Sequence, residues 1–373
     1  MLLISISMSM HAVEKIPSKD SIVKSMTMVC NWQLNNFSKT GYSWQNENKL
    51  NYRNRGWIRG SFLTGLMAQY YTTQDHKYLD VAIDLCENNN WKLSSKFRMA
   101  DNLCIGQAYI ELFKIKKDSI MIFEVQNNLN KILKDPKRGP VIGWNRNLNW
   151  NWCDALYMAP PVFTHMYTIT KDKDYLDIMN TLWQDTYNLL YDTNENLFYR
   201  DIRFVPNAEN NYITTKNGKK VFWSRGNGWV LGGLTRILQD MPMDYAPRKK
   251  YVAIFKKMCD KIAMLQGSDG LWRTSLLDYE EYPSPETSGS SFFCYAMAWG
   301  INNEILPANK YLPIVLKAWK GLNWAIDKNT GMLGWVQAVG ADPRPVSASE
   351  TMEYGAGAFL LAGSEIYKMA QDK

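Results

Sequence analysis

Apolar residues recur at three and four positions through long windows of this chain, and the alternation of a half-buried strand is nearly absent. The pattern predicts helices almost throughout. One set of segments opens on a small or polar cluster and runs into an apolar helix rich in small residues; these start at Trp57, Asp101, Asp154, Gly226, Ser288 and Glu353. Between them lie amphipathic, more charged helices that start near Ser18, His76, Ile120, Asp174, Arg248 and Lys310. A helix that is apolar all round is buried, whereas a one-sided stripe marks a helix with a face in water. Alternation of the two kinds predicts an all-α fold in which an outer ring surrounds an inner one, the (α/α)6 six-hairpin toroid. An open solenoid of helix pairs needs polar capping repeats at its ends. The last helix, Tyr354 to Gly363, is as apolar as the middle ones. Closure is therefore expected. Several outer helices end in a similar return, Glu195-Asn-Leu-Phe-Tyr199, Asp269-Gly-Leu-Trp272 and Gly331-Met-Leu-Gly-Trp335.

The chain has 373 residues, and residues 17–373 read as a single catalytic domain. Before them, Met1 to Ala12 is apolar and small, and the chain turns polar at Glu14. That run resembles the hydrophobic and cleavage regions of a signal peptide without its basic start. Residues 1–16 are expected to be a signal-peptide remnant or a disordered N-terminus, with a periplasmic location, or a cytoplasmic one if no export occurs. No segment reaches transmembrane length, so no membrane partner is expected. The net charge of +7 favours an acidic partner. Lys114–Lys117 and Arg248–Lys250 sit in helix-like stretches and no dense basic block exists, so nucleic acid is not expected. A monomer or weak homo-oligomer is. The six cysteines are scattered singly and there are only three histidines, which argues against a metal site or histidine-based epimerisation. The 15 Trp and 21 Tyr suit sugar stacking and a large helical core equally.

In such a toroid the inner helices run parallel, and their N-termini gather at one mouth. Two of them open with an Asp in equivalent register, in Asp101-Asn-Leu-Cys-Ile-Gly-Gln107 and Trp152-Cys-Asp154-Ala-Leu-Tyr-Met. Either Asp alone reads as a helix N-cap. Two of them at one mouth also match the carboxylate pair that sugar hydrolysis requires. A third inner helix opens with Trp223-Ser-Arg225-Gly-Asn-Gly-Trp229. Its glycines let a ligand approach the backbone, and Arg225 suits a carboxylate in fork geometry or a structural acid. Trp223 and Trp229 are expected to sandwich a sugar ring. The stretch Phe198-Tyr199-Arg200-Asp201-Ile202-Arg203 falls in a long insertion and reads either as pocket wall or as surface ion pair. The openings around Glu286 and Glu353 supply further hydroxyls and carboxylates, most of which ordinary capping by Ser and Thr explains.

These three motifs resemble the unsaturated rhamnogalacturonyl and glucuronyl hydrolases of glycoside hydrolase family 105 and the related family 88, from about Trp57 to the C-terminus. The resemblance implies removal of a non-reducing, C4–C5-unsaturated uronic acid from acidic oligosaccharides made by polysaccharide lyases. It implies hydration of the double bond, with Asp154 as proton donor and water activator and Asp101 as its supporting carboxylate. Arg225, Trp152, Trp223 and Trp229 are the implied residues around the uronate, Arg200 and Gln107 complete the expected substrate-binding set, and no cofactor is implied. Members acting on rhamnogalacturonan products often carry a His where Arg200 stands, which leaves galacturonyl and glucuronyl substrates both open. The alternatives are a conventional glycosidase, a lyase or an epimerase of the same shape, or a glycan-binding scaffold.

Overall fold

The structure, a computed structural model, describes residues 15–37, 54–94, 98–135, 150–209 and 211–371. The leader-like start, Met1 to Ala12, lies outside the described residues. The helices come in the predicted order, outer and inner by turns. They are α1 (Lys19–Asn35), α2 (Trp57–Thr73), α3 (His76–Glu87), α4 (Ala100–Leu103), α5 (Gly106–Lys116), α6 (Ile120–Lys134), α7 (Ala155–Met158) and α8 (Pro160–Thr170). There follow α9 (Asp174–Leu190), α10 (Ser224–Asp240), α11 (Arg248–Met264), α12 (Thr287–Asn302), α13 (Ala308–Trp324) and α14 (Glu353–Met369).

The inner ring is α2, α4/α5, α7/α8, α10, α12 and α14. Each member packs against the next, and α14 packs against α2, so the ring closes. The outer helices carry a buried stripe each, as their amphipathic patterns require: α6, for example, buries Met121, Val125, Leu129 and Ile132. Helix starts use the expected chemistry. The Ser18 hydroxyl accepts from Ser21 N at the head of α1, and the Asp75 carboxylate accepts from Lys77 N at the head of α3.

Two inner helices are interrupted, which the periodicity does not predict. At the third position Pro160 and Pro161 open α8, and a proline cannot donate to the turn before it. The single turn α7 is thereby cut off from the long helix. The second position breaks similarly at Cys104–Ile105, where the sequence carries no proline. There Gly60 of α2 lies against the joint, and a Cβ on it would stand 2.7 Å from Ile105 N.

Closure depends on the seam between α2 and α14. A Cβ built on Gly65 would stand 2.4 Å from Gly357 O, and one on Gly357 2.4 Å from Ser61 O. Above this contact Arg59 Nε donates to Glu353 Oε2 at 2.7 Å, both side chains being buried. The Arg59 guanidinium also lies 3.8 Å from the Phe37 ring centroid.

The far end of the ring, away from the mouth, holds a buried polar cluster. Arg236 donates to Gln107, to Glu111 and, at 3.0 Å, to His165 Nε2, while the other His165 nitrogen bonds Asp240. Burial pushes the Asp240 carboxyl up, but His165, Lys114 and Arg236 outweigh it and hold the group down at about 2. All six cysteines are free and buried, and burial raises the thiols, Cys30 to about 12.

Two stability measurements test this account. Gly357→Ala is expected to cost ~1–3 kcal/mol by overpacking the seam, read as a lower urea midpoint at unchanged m-value. Asp240 is depressed in the folded state, so its contribution is present above the unfolded carboxylate value and is lost as pH falls. That contribution is about 2 kcal/mol, and it disappears progressively from about pH 5 down to pH 2. Asp240→Asn is expected to lower stability at neutral pH and to flatten the loss across that window; an equal acid slope in both proteins opposes it.

Candidate active site

Inner helices meet N-terminus to N-terminus, which shows that they run parallel. Arg59 reaches Glu353, Gly228 lies against Gly289, and the Trp57 ring stacks on Tyr354 at 5.4 Å. One turn below the mouth Trp229 fills the axis. Its ring meets Tyr157 at 4.8 Å, Phe292 at 4.6 Å, Trp57 at 6.0 Å and Tyr354 at 6.0 Å. This aromatic plug fills the space beneath the helix openings.

Asp154 and Asp101 both lie on the detached first turns, α7 and α4, which pack against each other. The capping explanation fails for both. Met99, not Asp101, takes the N-cap position of α4. Asp154 takes it at α7, yet its side chain makes no cap bond. Both carboxylates are mostly buried, at 7 % and 8 % exposure. Asp154 Oδ2 lies 3.4 Å from Arg200 Nε and accepts from the Cys153 thiol at 3.5 Å.

Arg200 reaches Asp154 because the insertion is strapped to this turn. Cys153 N donates to Arg200 O at 2.9 Å, and Trp152 pairs with Asp201 as an isolated antiparallel bridge. Of the two readings of this segment, pocket wall and surface pair, the structure gives a buried pair at the site. Arg200 Nη1 donates to Asp201 Oδ2 at 2.8 Å, and Arg203 Nε donates to Asp201 Oδ1 at 2.8 Å. Burial alone would pull the guanidinium down and push the carboxyl up. Asp154 and Asp201 instead raise the Arg200 guanidinium, and Arg203 and Arg200 lower the Asp201 carboxyl. A charged Arg200 therefore stands beside Asp154 throughout the physiological range.

The return before the insertion is a short hairpin, β1 (Tyr191–Asp192) with β2 (Leu197–Phe198). Asn227 holds it against α10: its side chain accepts from Phe198 N at 2.8 Å and donates to Phe198 O at 3.0 Å. The Asn of the third motif is thus a clamp, a role that sequence reasoning did not find. Only the pairing of two distant segments reveals it.

Arg225 is 1 % exposed and pairs with no acid among the described residues. Its terminal nitrogens donate to the carbonyls of Gln337 and Ala338, and its guanidinium lies 4.4 Å from the Trp223 ring and 4.8 Å from that of Tyr354. Its Nε has no acceptor among the described residues. Gln337 itself was missed by the sequence reading. Its side chain accepts from Trp223 Nε1 at 2.9 Å, its carbonyl accepts from Tyr354 Oη at 2.6 Å, and its backbone N–H donates to Glu286 Oε1 at 3.2 Å. Glu286 itself, where Ser and Thr were the expected caps, caps α12: it accepts from Ser288 N at 3.0 Å and Gly289 N at 2.7 Å, next to the short pair β3 (Trp272–Arg273) and β4 (Pro285–Glu286).

Two expectations need correction. Trp223 and Trp229 are each only 1 % exposed, so neither offers an open face for the expected sugar sandwich; one stacks on Arg225 and the other is the plug. Gln107 is fully buried below the mouth, where it donates to Tyr157 O at 2.9 Å and accepts from Arg236. These two bonds occupy both ends of its amide. Trp152 is in place beside Asp154 and is 2 % exposed. Among the described residues no His, Cys, Asp and Glu cluster fit to hold a metal occurs, and no helix is long and apolar enough to cross a membrane.

Known proteins share this framework. The chain is 42 % identical over 321 residues to an "Unsaturated 3S-rhamnoglycuronyl hydrolase" of Formosa agariphila, covering 84 % of this chain and 85 % of the relative. A solved structure described as a glycosyl hydrolase family 88 protein from Bacteroides vulgatus superposes with a TM-score of 0.81 at 31 % identity, covering 94 % of this chain and 99 % of that one. A second solved structure, described as a polysaccharide lyase, gives 0.82 at 31 % identity, covering 94 % and 98 %. The resemblance read from the motifs is borne out, and its family 88 side spans the chain. Glycosyl Hydrolase Family 88 matches residues 25–370, so this closed (α/α)6 ring, with its acids on two detached turns, belongs to that family and is a glycosidase.

Proposed function

We propose that this enzyme removes a non-reducing, C4–C5-unsaturated uronic acid from acidic oligosaccharides by hydrating the double bond. The observation that carries the reading is Asp154: a buried carboxylate at the mouth, not spent on capping, with a buried Arg200 3.4 Å away. The name of the Formosa agariphila relative, an unsaturated 3S-rhamnoglycuronyl hydrolase, supports the substrate class and points to a rhamnose-linked uronate.

In this reaction Asp154 delivers a proton to C4 and assists water in adding its oxygen at C5. The product is a hemiketal. Its new hydroxyl becomes the C5 ketone as the bond from C5 to the ring oxygen breaks, and the resulting hemiacetal at C1 releases the aglycone. Asp101 on the neighbouring turn supports the returning proton. Arg225 supports the uronate assignment: a buried cation that pairs with no carboxylate among the described residues has an unmet electrostatic demand that an acidic sugar satisfies. Trp229 and Tyr157 supply the apolar floor, and Arg200 keeps positive charge beside the reacting carboxylate.

The polysaccharide-lyase description of one similar structure favours a second reading, β-elimination by the same framework. The ultraviolet absorbance of the conjugated double bond separates them. With lyase-made unsaturated disaccharides the signal falls if the enzyme hydrates. With the intact polysaccharide it rises if the enzyme eliminates. Two substitutions refine the test. Asp154→Asn is expected to lower turnover by about 10²–10⁴-fold while substrate affinity stays within a few-fold; retained turnover removes Asp154 from the chemistry. Arg200→Lys keeps the charge but loses the fork that spans Asp154 and Asp201. It is expected to lower kcat/KM by about tenfold or more, and an unchanged value assigns Arg200 to folding alone.

A further inference from the structure

The return between α13 and α14 carries two features that the proposed reaction does not use. The first is a pair of tryptophans. Trp324 ends α13 and is 61 % exposed, more than any other described tryptophan. Its ring stacks on Trp335 at 6.0 Å with 21° between the planes. An indole held flat in water exposes apolar area that a ligand's apolar face covers. Trp335 also adopts φ +58°, a left-handed conformation that is an outlier for a bulky side chain. Such strain persists only where surrounding bonds impose it. Here they do: Thr287 N donates to Trp335 O at 2.9 Å, Gly334 N to Ala325 O at 3.0 Å, and Asp327 N to Met332 O at 2.9 Å.

The second feature lies at the tip of the same return. A cleft of about 350 Å³ opens between the tip and the C-terminal end of α1, lined among others by Asn31, Trp32, Asn35, Asn36, Asn329 and Thr330. Part of this polar set is committed: Asn31 Oδ1 accepts from Tyr78 Oη at 3.3 Å, and Asn36 Nδ2 donates to Trp32 O at 2.7 Å. Asn35, Asn329 and Thr330 are exposed. Amides and a hydroxyl both donate and accept, and no lining side chain is charged. That chemistry fits the hydroxyls of a neutral sugar and not a carboxylate.

Position joins these features to the site. Outer helices run against the inner ones, so the C-termini of α1 and α13 stand at the mouth. Trp335 is two residues from Gln337, which holds Trp223 and Arg225. We propose that the return between α13 and α14 is an outer sugar-binding station. In it the Trp324–Trp335 pair and the asparagine-lined cleft hold a saturated, neutral sugar of the oligosaccharide whose unsaturated end lies at Asp154. This inference rests on the proposed function for the identity of the chain being held, and it makes the enzyme one that prefers substrates longer than a disaccharide.

The test compares unsaturated di- and tetrasaccharides from a lyase digest of a rhamnose- and uronate-containing polysaccharide. Wild type is expected to show a kcat/KM about tenfold higher on the tetrasaccharide, the equivalent of roughly 1.4 kcal/mol. Trp324→Ala and Asn329→Ala are expected to remove that advantage and to leave the disaccharide value unchanged, which also shows that each variant is folded. Equal wild-type values on the two lengths overturn the station, as does a Trp324→Ala protein that keeps the advantage. If no unsaturated substrate is turned over, the functional reading fails instead. Calorimetric titration with the saturated oligosaccharide then reads the station alone: binding that Trp324→Ala abolishes supports it, and no binding by wild type overturns it.

Discussion

The α2–α14 seam is where the last inner helix meets the first, and every other part of the molecule presupposes that contact. Backbones approach closely there because Gly65 and Gly357 carry no side chain. With an ordinary residue at either position the two helices would stand further apart and the remaining ring would have to open. Arg59 and Glu353 sit above the glycines as a buried pair. Such a pair adds little net stability, because both charges must be desolvated, but it tolerates few alternative alignments. Small residues bring the helices together, and the ion pair fixes their register. Six parallel N-termini then converge on one mouth, which is what makes a site from residues far apart in the chain.

Above the ring a layer of irregular chain is tied down by amides and carboxylates. Gln337 links α10, through Trp223 and Arg225, with α14, through Tyr354, and with the Glu286 cap of α12. Asn227 does the same for the insertion through both polar groups of Phe198. Each amide satisfies buried backbone groups that would otherwise cost free energy. The described segments around Phe198 and Gln337 are thereby fixed to the helices beneath them.

The architecture was largely legible in the sequence, for a physical reason. A helix buried on all sides must be apolar on all sides, so the run at Tyr354–Gly363 reveals both its depth and the closure of the ring. The two Asp turns were legible too, because Trp152, Asp154 and Asp101 stand at helix openings that the periodicity locates. Long-range pairing was not. Nothing local in Asn227 or Gln337 announces that each one bonds a segment distant in the chain, and nothing in Phe198–Arg203 says that a bridge to Trp152 will bury it. Gln107 misled for the opposite reason: it follows a site motif closely, but one turn of helix carries it below the floor and into the cluster around Arg236. Trp223 and Trp229 share a motif yet belong to different layers, a distinction that depends on depth along the ring axis and not on spacing.

The breaks that separate α4 from α5 and α7 from α8 divide the labour within single inner helices. The long segments belong to the ring and are constrained by its close contacts. The short turns answer instead to the insertion, through the bonds from Cys153 to Arg200 and from Trp152 to Asp201. The acid is therefore aimed by a loop, while the ring only sets its height. Variation in that loop can re-aim Asp154 without repacking the barrel. A lineage with this construction is free to change the sugar it accepts at small cost to the stability of its core.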